Sequence, residues 1–376
     1  MAADVPQFDV VIVGAGPGGL GMGVVLQDLG VESVAILERH EPGASFARWP
    51  EEMRLITPSF TANGHGLLDL NAIALGVSPA FSLWTEHPTG AAYARWLTGF
   101  AERFELPIQI GVDVSAVEPL ADGFLLHTSQ GEITARFVIW AAGEFQYPRL
   151  NSFPGAELCV HNSRVGNWAT WSKDAAEPIM VIGGAESGID AAIHLTRLGK
   201  QVVVVDGGRF WDRESSDPSL TLSPYTRERL GDALRTELLA LIGEAQVVQV
   251  SRDNGAVVVQ AEDGRSWSTQ TAPVLATGFT GSISLLGDLF AHDEAGKPVF
   301  SIVDESTRTP GLFAVGPAVH QESFSFCFIY KFRQRFAVVA QEIGSRLGLD
   351  LSPLDDYRAA NLFLDDFSCC GESCRC

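Results

Sequence analysis

An α/β fold of two parallel-sheet units, the second inserted within the first and each carrying a β-meander, follows from three observations. An apolar run (Val10, Val11, Ile12, Val13) leads at once into Gly14-Ala15-Gly16-Pro17-Gly18-Gly19 and then into a segment of helical spacing. The same order of events recurs further on, where Pro178-Ile179-Met180-Val181-Ile182 precedes Gly183-Gly184-Ala185-Glu186-Ser187-Gly188 and a helical pattern over 189–198. Past Phe279 the chain returns to a strand that ends in Gly316-Pro317. Repetition of a whole unit settles architecture better than a single motif does.

In the first unit Gly14 permits the tight turn, Gly16 lets the backbone approach a pyrophosphate, and Gly19 lets the helix pack close to the strand. The phosphates then sit beside Pro17 and Gly18 at the helix N-terminus, where unpaired N–H groups and the helix dipole favour negative charge. A second apolar run at 34–37 ends in Glu38, where the pattern wants a carboxylate on a ribose hydroxyl. Strand, glycines, helix, strand and terminal acid together make a Rossmann-like dinucleotide-binding unit.

The stretch 39–80 mixes Pro, Gly and Asn with short apolar pieces, including Arg48-Trp49-Pro50, and reads as an irregular excursion over a bound cofactor. Trp49, Phe60, Leu67, Leu68 and Leu70 within it call for cover. Thr89 is placed to cap a helix whose core face carries Tyr93, Leu97, Phe100 and Phe104. Short strands at 112–117, 124–127 and 133–137, separated by turn residues, lead into a buried strand that ends at Gly143, which suggests a meander crossing back to the main sheet.

The second unit follows the same plan: a strand at 202–205 closes on Asp206, a meander occupies 247–250 and 256–259, and a run at 274–279 ends the unit with Gly278. Between them, 211–224 reads as a loop, followed by a helix carrying Leu230, Leu234 and Leu238. A strand at 310–317 and a segment at 324–330 leading into a helix through Ile343 belong again to the first unit. The expected boundaries are 1–150 and 283–365 for the first domain, 151–282 for the inserted one, and 366–376 for a tail. Two dinucleotide sites in one chain imply that one cofactor hands electrons to the other.

A chain of 376 residues suits two domains, and its net charge of −20 argues against nucleic acid or an anionic membrane as partner. No apolar run approaches a membrane span, and the start MAADVPQFD lacks the basic region of a signal peptide, so the expected location is the cytoplasm. Cys159 and Cys327 are the cysteines of the body of the chain, in keeping with a reducing compartment. The other four, Cys369, Cys370, Cys374 and Cys376, crowd into the last eight residues.

These motifs, GAGPGG with Glu38, GGAESG with Asp206, the turn at Ala276 to Phe279 and the strand PGLFAVGP, resemble the two-dinucleotide-binding flavoproteins, which include pyridine nucleotide disulfide reductases and flavin monooxygenases. The spacing of both glycine loops, Arg48-Trp49-Pro50 and the ending from Cys327 to Ile343 most resemble the bacillithiol disulfide reductase family. The resemblance implies FAD at Gly14, Gly16, Pro17, Gly18, Gly19 and Glu38, bordered by Trp49, Gly143 and Gly316. It implies NADPH at Gly183, Ala185, Glu186, Ser187, Gly188 and Asp206, near Gly278, and it implies a homodimer, common among relatives.

Several positions depart from the family. Gly18 stands where it carries a cysteine, and neither nucleotide domain has a CxxC pair. Asp206 favours NADH over NADPH, while Arg209 keeps NADPH open. Pro317 replaces the acid that often touches the flavin ribityl chain. The monooxygenase branch is marked by F-x-G-x-x-x-H, which Phe153, Gly155 and His161 match with two extra residues.

The tail Ser368-Cys369-Cys370-Gly371-Glu372-Ser373-Cys374-Arg375-Cys376 has three readings: a redox shuttle, a soft-metal clamp or an extension without a role. Its ending resembles the tail of mercuric reductase, and a cysteine tail reaching a flavin domain resembles the large thioredoxin reductases. Asp365, Asp366 and Glu372 disfavour thiolates there. Four close thiolates suit zinc, copper(I) or mercury(II), since such a metal deprotonates its ligands. Cys327 is the candidate inner acceptor and otherwise a small core residue. Cys159 and His161 can share one side of an extended piece but are more often structural. His320 is a candidate for the flavin edge.

The expected function is an FAD-dependent NAD(P)H oxidoreductase passing electrons to a thiol, disulfide or soft-metal acceptor, with Cys327, Cys369 and Cys370 as catalytic relays. The alternatives are a flavin monooxygenase and a metal-binding or redox-sensing flavoprotein.

Overall fold

The computed structural model describes residues 5–60, 68–321 and 324–367. Its first sheet has seven strands: Gln7–Val13 (β1), Val34–Glu38 (β2), Ile108–Ile110 (β3), Val114–Leu120 (β4), Gly123–Thr128 (β5), Gly131–Trp140 (β6) and, after the second unit, Leu312–Ala314. The order is β3-β2-β1-β6-β5-β4, with Leu312–Ala314 against β6. Val10, Val11 and Ile12 are fully buried, as a parallel strand covered on both faces requires.

The helices Pro17–Asp28 (α1) and Gly90–Arg103 (α4) flank this sheet, and two single turns, Ala44–Ala47 (α2) and Ala80–Leu83 (α3), punctuate the excursion between them. Thr89 caps α4 as expected, accepting from the Ala92 amide at 3.2 Å. Strand β6 differs from the sequence reading, which split it into a meander strand and a separate buried strand. Its first half pairs antiparallel with β5, and from Thr134 on it runs parallel to β1 and then to Leu312–Ala314, so one ten-residue strand joins the meander to the parallel strands within a single sheet.

The second sheet is parallel throughout, in the order β10-β9-β8-β14-β7. Its strands are Val160–His161 (β7), Ile179–Ile182 (β8), Val202–Val205 (β9), Leu239–Ile242 (β10) and Val274–Leu275 (β14). Val247–Asp253 (β11), Ala256–Ala261 (β12) and Ser266–Thr269 (β13) form the meander. Helices Trp168–Ser172 (α5), Glu186–Arg197 (α6) and Pro224–Leu234 (α7) complete the unit.

Here the helix expected to reach Leu238 stops at Leu234, and Glu237 takes a positive φ of 59°. The apolar run that follows pairs with β9 as strand β10, beginning at Leu239 opposite Val202. Leu230 is buried and Leu234 is exposed, so only the first of the three leucines serves the helix core.

Two crossings join the units and run side by side. Along 143–149 and 278–282, Arg149 donates to the Gly278 carbonyl (3.0 Å), Thr280 to Tyr147 (2.9 Å) and Ser282 to Gly143 (2.9 Å), while Phe145 packs on Phe279. Elsewhere the Glu52 carboxylate accepts from the Trp168 amide at 3.0 Å and His87 stacks on Tyr225.

After the return to the first sheet the expected single helix is divided into Ile329–Phe332 (α8), a 3-10 turn at Arg333–Arg335 and Phe336–Leu347 (α9). The turn carries two buried arginines inward. Arg333 donates to the carbonyls of Asp69 and Ala72, and Arg335 clasps Asp304 through Nε (2.8 Å) and Nη2 (3.0 Å). Gln321 completes the Asp304 shell at 2.7 Å. Asp304→Ala is expected to lower stability by about 3–5 kcal/mol, because it strands the Arg335 charge in the core; chemical denaturation measures the loss, and a change under 1 kcal/mol would contradict this account.

Candidate active site

Strand β1 lies between β2 and β6, where the strand order reverses, and an open α/β sheet holds its ligand in the crevice beyond the strand ends at such a point. The loops that leave β1, β6 and Leu312–Ala314 all line one cleft of about 380 Å³. Gly14, Gly16, Pro17 and Gly18 come from the first of these loops, Gly143 from the second and Gly316 from the third. Glu38, Trp49 and Cys327 line the same cleft, and so do Glu186 and Ser187 of the second glycine loop.

The two glycine loops are near copies. Gly14 and Gly183 have φ of 105° and 107°, a region costly for any other residue. A Cβ at Gly19 would stand 1.9 Å from the Gly14 carbonyl oxygen, and one at Gly188 the same distance from that of Gly183. Each helix therefore meets its strand where only hydrogen fits. The acids match as well: Glu38 Oε2 accepts from the Ala15 amide at 2.8 Å and Asp206 Oδ2 from the Gly184 amide at 2.8 Å.

These residues fit dinucleotides. Nothing lies within 4 Å of a Cβ built at Gly16, and no side chain caps α1 or α6, so both helix N-termini are open to a pyrophosphate. Asp190, 6% exposed, gives one oxygen to Arg229 (2.6 Å), while its other oxygen has no hydrogen-bond partner among the described residues. It lines the cleft, where a ligand donor would satisfy that oxygen. Burial opposes its charge, but His194 and Arg229 hold its carboxyl below the usual range.

Other expected residues lie away from the cleft. Gly19, Gly183, Ala185, Gly188 and Asp206 are not among its lining residues, and the Gly278 carbonyl instead accepts from His161 Nε2 at 3.0 Å. His161 places its other ring nitrogen on Ser163 (2.8 Å), so it forms no pair with Cys159. His320 packs edge-on to Phe300. Arg209 binds Asp212 at 2.8 Å through Nε. Arg213 lies over the Phe210 ring and close to Gly208.

Cys327 is exposed, unlike the core residue its apolar neighbours suggested. Its thiol donates to Ser219 at 3.2 Å, and Lys331 beside it bonds Asp217 and Ser219, both at 2.6 Å. The cleft walls desolvate the thiol and push its pKa up, against the pull of Ser219 and Lys331. Glu144, which sequence reasoning passed over, lines the cleft and is raised by burial; its one signal was its place after Gly143 at a strand end. Glu186 is also raised by burial, with Thr226 and Ser223 opposing. Cys369, Cys370, Cys374 and Cys376 lie outside the described residues, among which no group of three or more His, Cys, Asp or Glu could hold a metal. Among the described residues no helix is long and apolar enough to cross a membrane.

Paired dinucleotide-binding units opening on one cleft define the class of two-dinucleotide-binding oxidoreductases. The chain belongs to the pyridine nucleotide-disulphide oxidoreductase family, whose pattern matches residues 11–316. It is 25% identical over 192 residues to the uncharacterized oxidoreductase CzcO of Bacillus velezensis, a match covering 51% of this chain and 52%, about half, of that protein. Among solved structures it is similar to the bacillithiol disulfide reductase Bdr (YpdA) from Staphylococcus aureus (TM-score 0.72, 18% identity, 91% of this chain and 99% of that one). It is equally similar in fold to a flavin-containing monooxygenase from Stenotrophomonas maltophilia (TM-score 0.71, 17% identity, 91% and 100%).

The thiol geometry sets a reactivity order. At pH 7 Cys327 is expected to react with iodoacetamide more slowly than an ordinary free thiol, accelerating as pH rises past the usual thiol range, because alkylation follows the thiolate. Cys159, pushed up to about 12 by burial, should stay unmodified until the protein unfolds. Peptide mass spectrometry reads both sites, and rapid labelling of Cys327 at pH 7 contradicts the assignment.

Proposed function

We propose that the chain reduces a small disulfide at the expense of NAD(P)H, with FAD at the first glycine loop and the pyridine nucleotide at the second. The observation that carries this reading is that residues of both glycine loops line one cleft, which gives two dinucleotides a shared space in which to meet. FAD, when bound, supplies the two-electron relay between the pyridine nucleotide and the acceptor. The chain's part is to hold, orient and shield.

In this reading Gly14, Gly16, Pro17, Gly18 and Gly19 seat the FAD pyrophosphate at the N-terminus of α1, and Glu38 takes the ribose. Trp49, Gly143 and Gly316 wall the reactive end. Gly183, Ala185, Glu186, Ser187 and Gly188 hold the pyridine nucleotide. Asp206 selects a free 2′-hydroxyl and so favours NADH, with Arg209 and Arg213 as the nearby cations that would accept a 2′-phosphate.

The tail enters as the electron exit. Its root is fixed: Phe367 stacks on Phe324 at 6.1 Å, contacts Phe326 at 6.0 Å and lies under the Arg335 guanidinium at 5.1 Å. Phe326 directly precedes Cys327. An extended chain spans about 3.3–3.6 Å per residue, so Cys374, seven residues beyond Phe367, has roughly 23–25 Å of reach, enough to return toward Cys327. Cys369 and Cys370, with Cys374 and Cys376, are then relays to an outside disulfide or, in the other use of the same thiols, ligands of a soft metal.

A second reading is a flavin monooxygenase. The raised thiol pKa of Cys327 favours it, since the one cysteine that lines the cleft among the described residues is held protonated and is a poor nucleophile.

Anaerobic titration of the metal-free oxidised protein with NADH, and in parallel NADPH, separates these readings. Uptake of about two reducing equivalents per flavin, falling to about one when residues 368–376 are deleted, is the expected result. Uptake of about one by the full chain removes the tail relay, and fast substrate-stimulated oxygen consumption that survives the deletion selects the monooxygenase. NADH should show the lower KM, and Asp206→Ala should narrow its advantage over NADPH.

A further inference from the structure

The cleft needs a source of protons if electrons leave it for sulfur, and its titratable groups are not equally able to serve. The Cys327 hydrogen is given to Ser219, and Lys331 is held by Asp217 and Ser219. Both Glu186 oxygens are engaged, one by the Ser223 amide and the other by the Thr226 hydroxyl (2.6 Å). Asp190 is kept ionised by His194 and Arg229.

Glu144 differs from all of them. Gly143, with φ of 68°, turns the chain at the end of β6, and the next residue places its carboxyl among the cleft-lining groups. Among the described residues no hydrogen bond or ion pair engages that carboxyl. Glu38, Arg39, Arg54, Asp113 and Tyr147 line the cleft from the first unit, Glu186 and Asp190 from α6, and Cys327 from the returning chain. Burial is the cause of the upward shift at Glu144, and none of these cations offsets it. A carboxyl raised in this way keeps its proton nearer to neutral pH, as a general acid must. Its charge would also push the Cys327 thiol further up, so the two groups sense each other across the cleft.

We propose that Glu144 is the proton donor of the cleft, delivering its proton to the sulfur released when a disulfide acceptor is reduced there. This rests on the disulfide reading above, in the form in which the small disulfide enters the cleft itself instead of meeting the tail outside it. In balance, NAD(P)H is oxidised to NAD(P)+ and its hydride equivalent is passed on. The acceptor S–S bond takes that electron pair and breaks; the proton of the hydride equivalent makes one sulfur a thiol, and the other is released as a thiolate. Glu144 protonates the thiolate, and a solvent proton restores the carboxyl.

A general acid matters for a basic leaving thiolate and little for an acidic one. The test therefore uses two disulfides with the FAD-loaded protein: bis(2-hydroxyethyl) disulfide, which releases a basic aliphatic thiolate, and 5,5′-dithiobis(2-nitrobenzoate), which releases an acidic aromatic one. Glu144→Gln is expected to lose activity on the aliphatic disulfide by a factor about 10² larger than on the aromatic one, the low end of what general acids contribute. Glu144→Asp should recover part of the difference. Without turnover, an infrared pH titration should show a carboxyl band that stays protonated above the ordinary glutamate range and that Glu144→Gln removes. If the wild type reduces neither disulfide, the disulfide reading falls and the proposal with it. If the wild type reduces both and the variant slows both alike or neither, or if the infrared band is absent, the proposal alone falls.

Discussion

The site depends on backbone touching backbone at two places. Where α1 crosses the end of β1, and where α6 crosses the end of β8, a helix approaches its strand so closely that a methyl group would collide at 1.9 Å. That approach aims each helix N-terminus into the loop between strand and helix. The same loops then require φ above 100° at Gly14 and Gly183. Four glycines, two in each unit, thus convert an ordinary parallel sheet into an anion cradle.

The electrostatics follow from that arrangement. A chain of net charge −20 would repel a dinucleotide if its acids faced the phosphates unscreened. Glu38 and Asp206 instead turn toward amides: Glu38 accepts from Ala15 and His40, and Asp206 from Gly184, Gly208 and Phe210. Their charge is answered by the backbone, and the carboxylates are fixed before any ligand arrives. The buried Asp304 and Arg335 play a comparable part beneath the return segment, where their pairing fixes the turn that precedes α9 and supports the anchoring of Phe367.

Much of this was legible in the sequence because the demands are local. Valine runs, glycine spacing and a terminal acid are read along the chain, and both glycine loops, the cap at Thr89 and the parallel strands at 10–13, 179–182 and 202–205 were read that way. What escaped depends on partners distant in sequence. The end of α7 and the start of β10 escape a local reading because Leu238 continues the helical spacing of Leu230 and Leu234, and pairing with β9 decides between them. The meander strand β13, Ser266–Thr269, is too polar to announce itself and exists by pairing with β12. The break between α8 and α9 reflects arginines that reach Asp69, Ala72 and Asp304 across the fold. Glu144 carries no motif, and its chemistry comes from its walls.

The paired crossings at 143–149 and 278–282 have a kinematic consequence. Two covalent links lying side by side, cross-bonded at Arg149, Thr280 and Ser282, act as a single narrow strap rather than as two separate tethers. A strap bends readily about one axis and resists shear and twist. Glu144 rides on the strap itself, so its place in the cleft is tied to the same cross-bonds that hold the two crossings together.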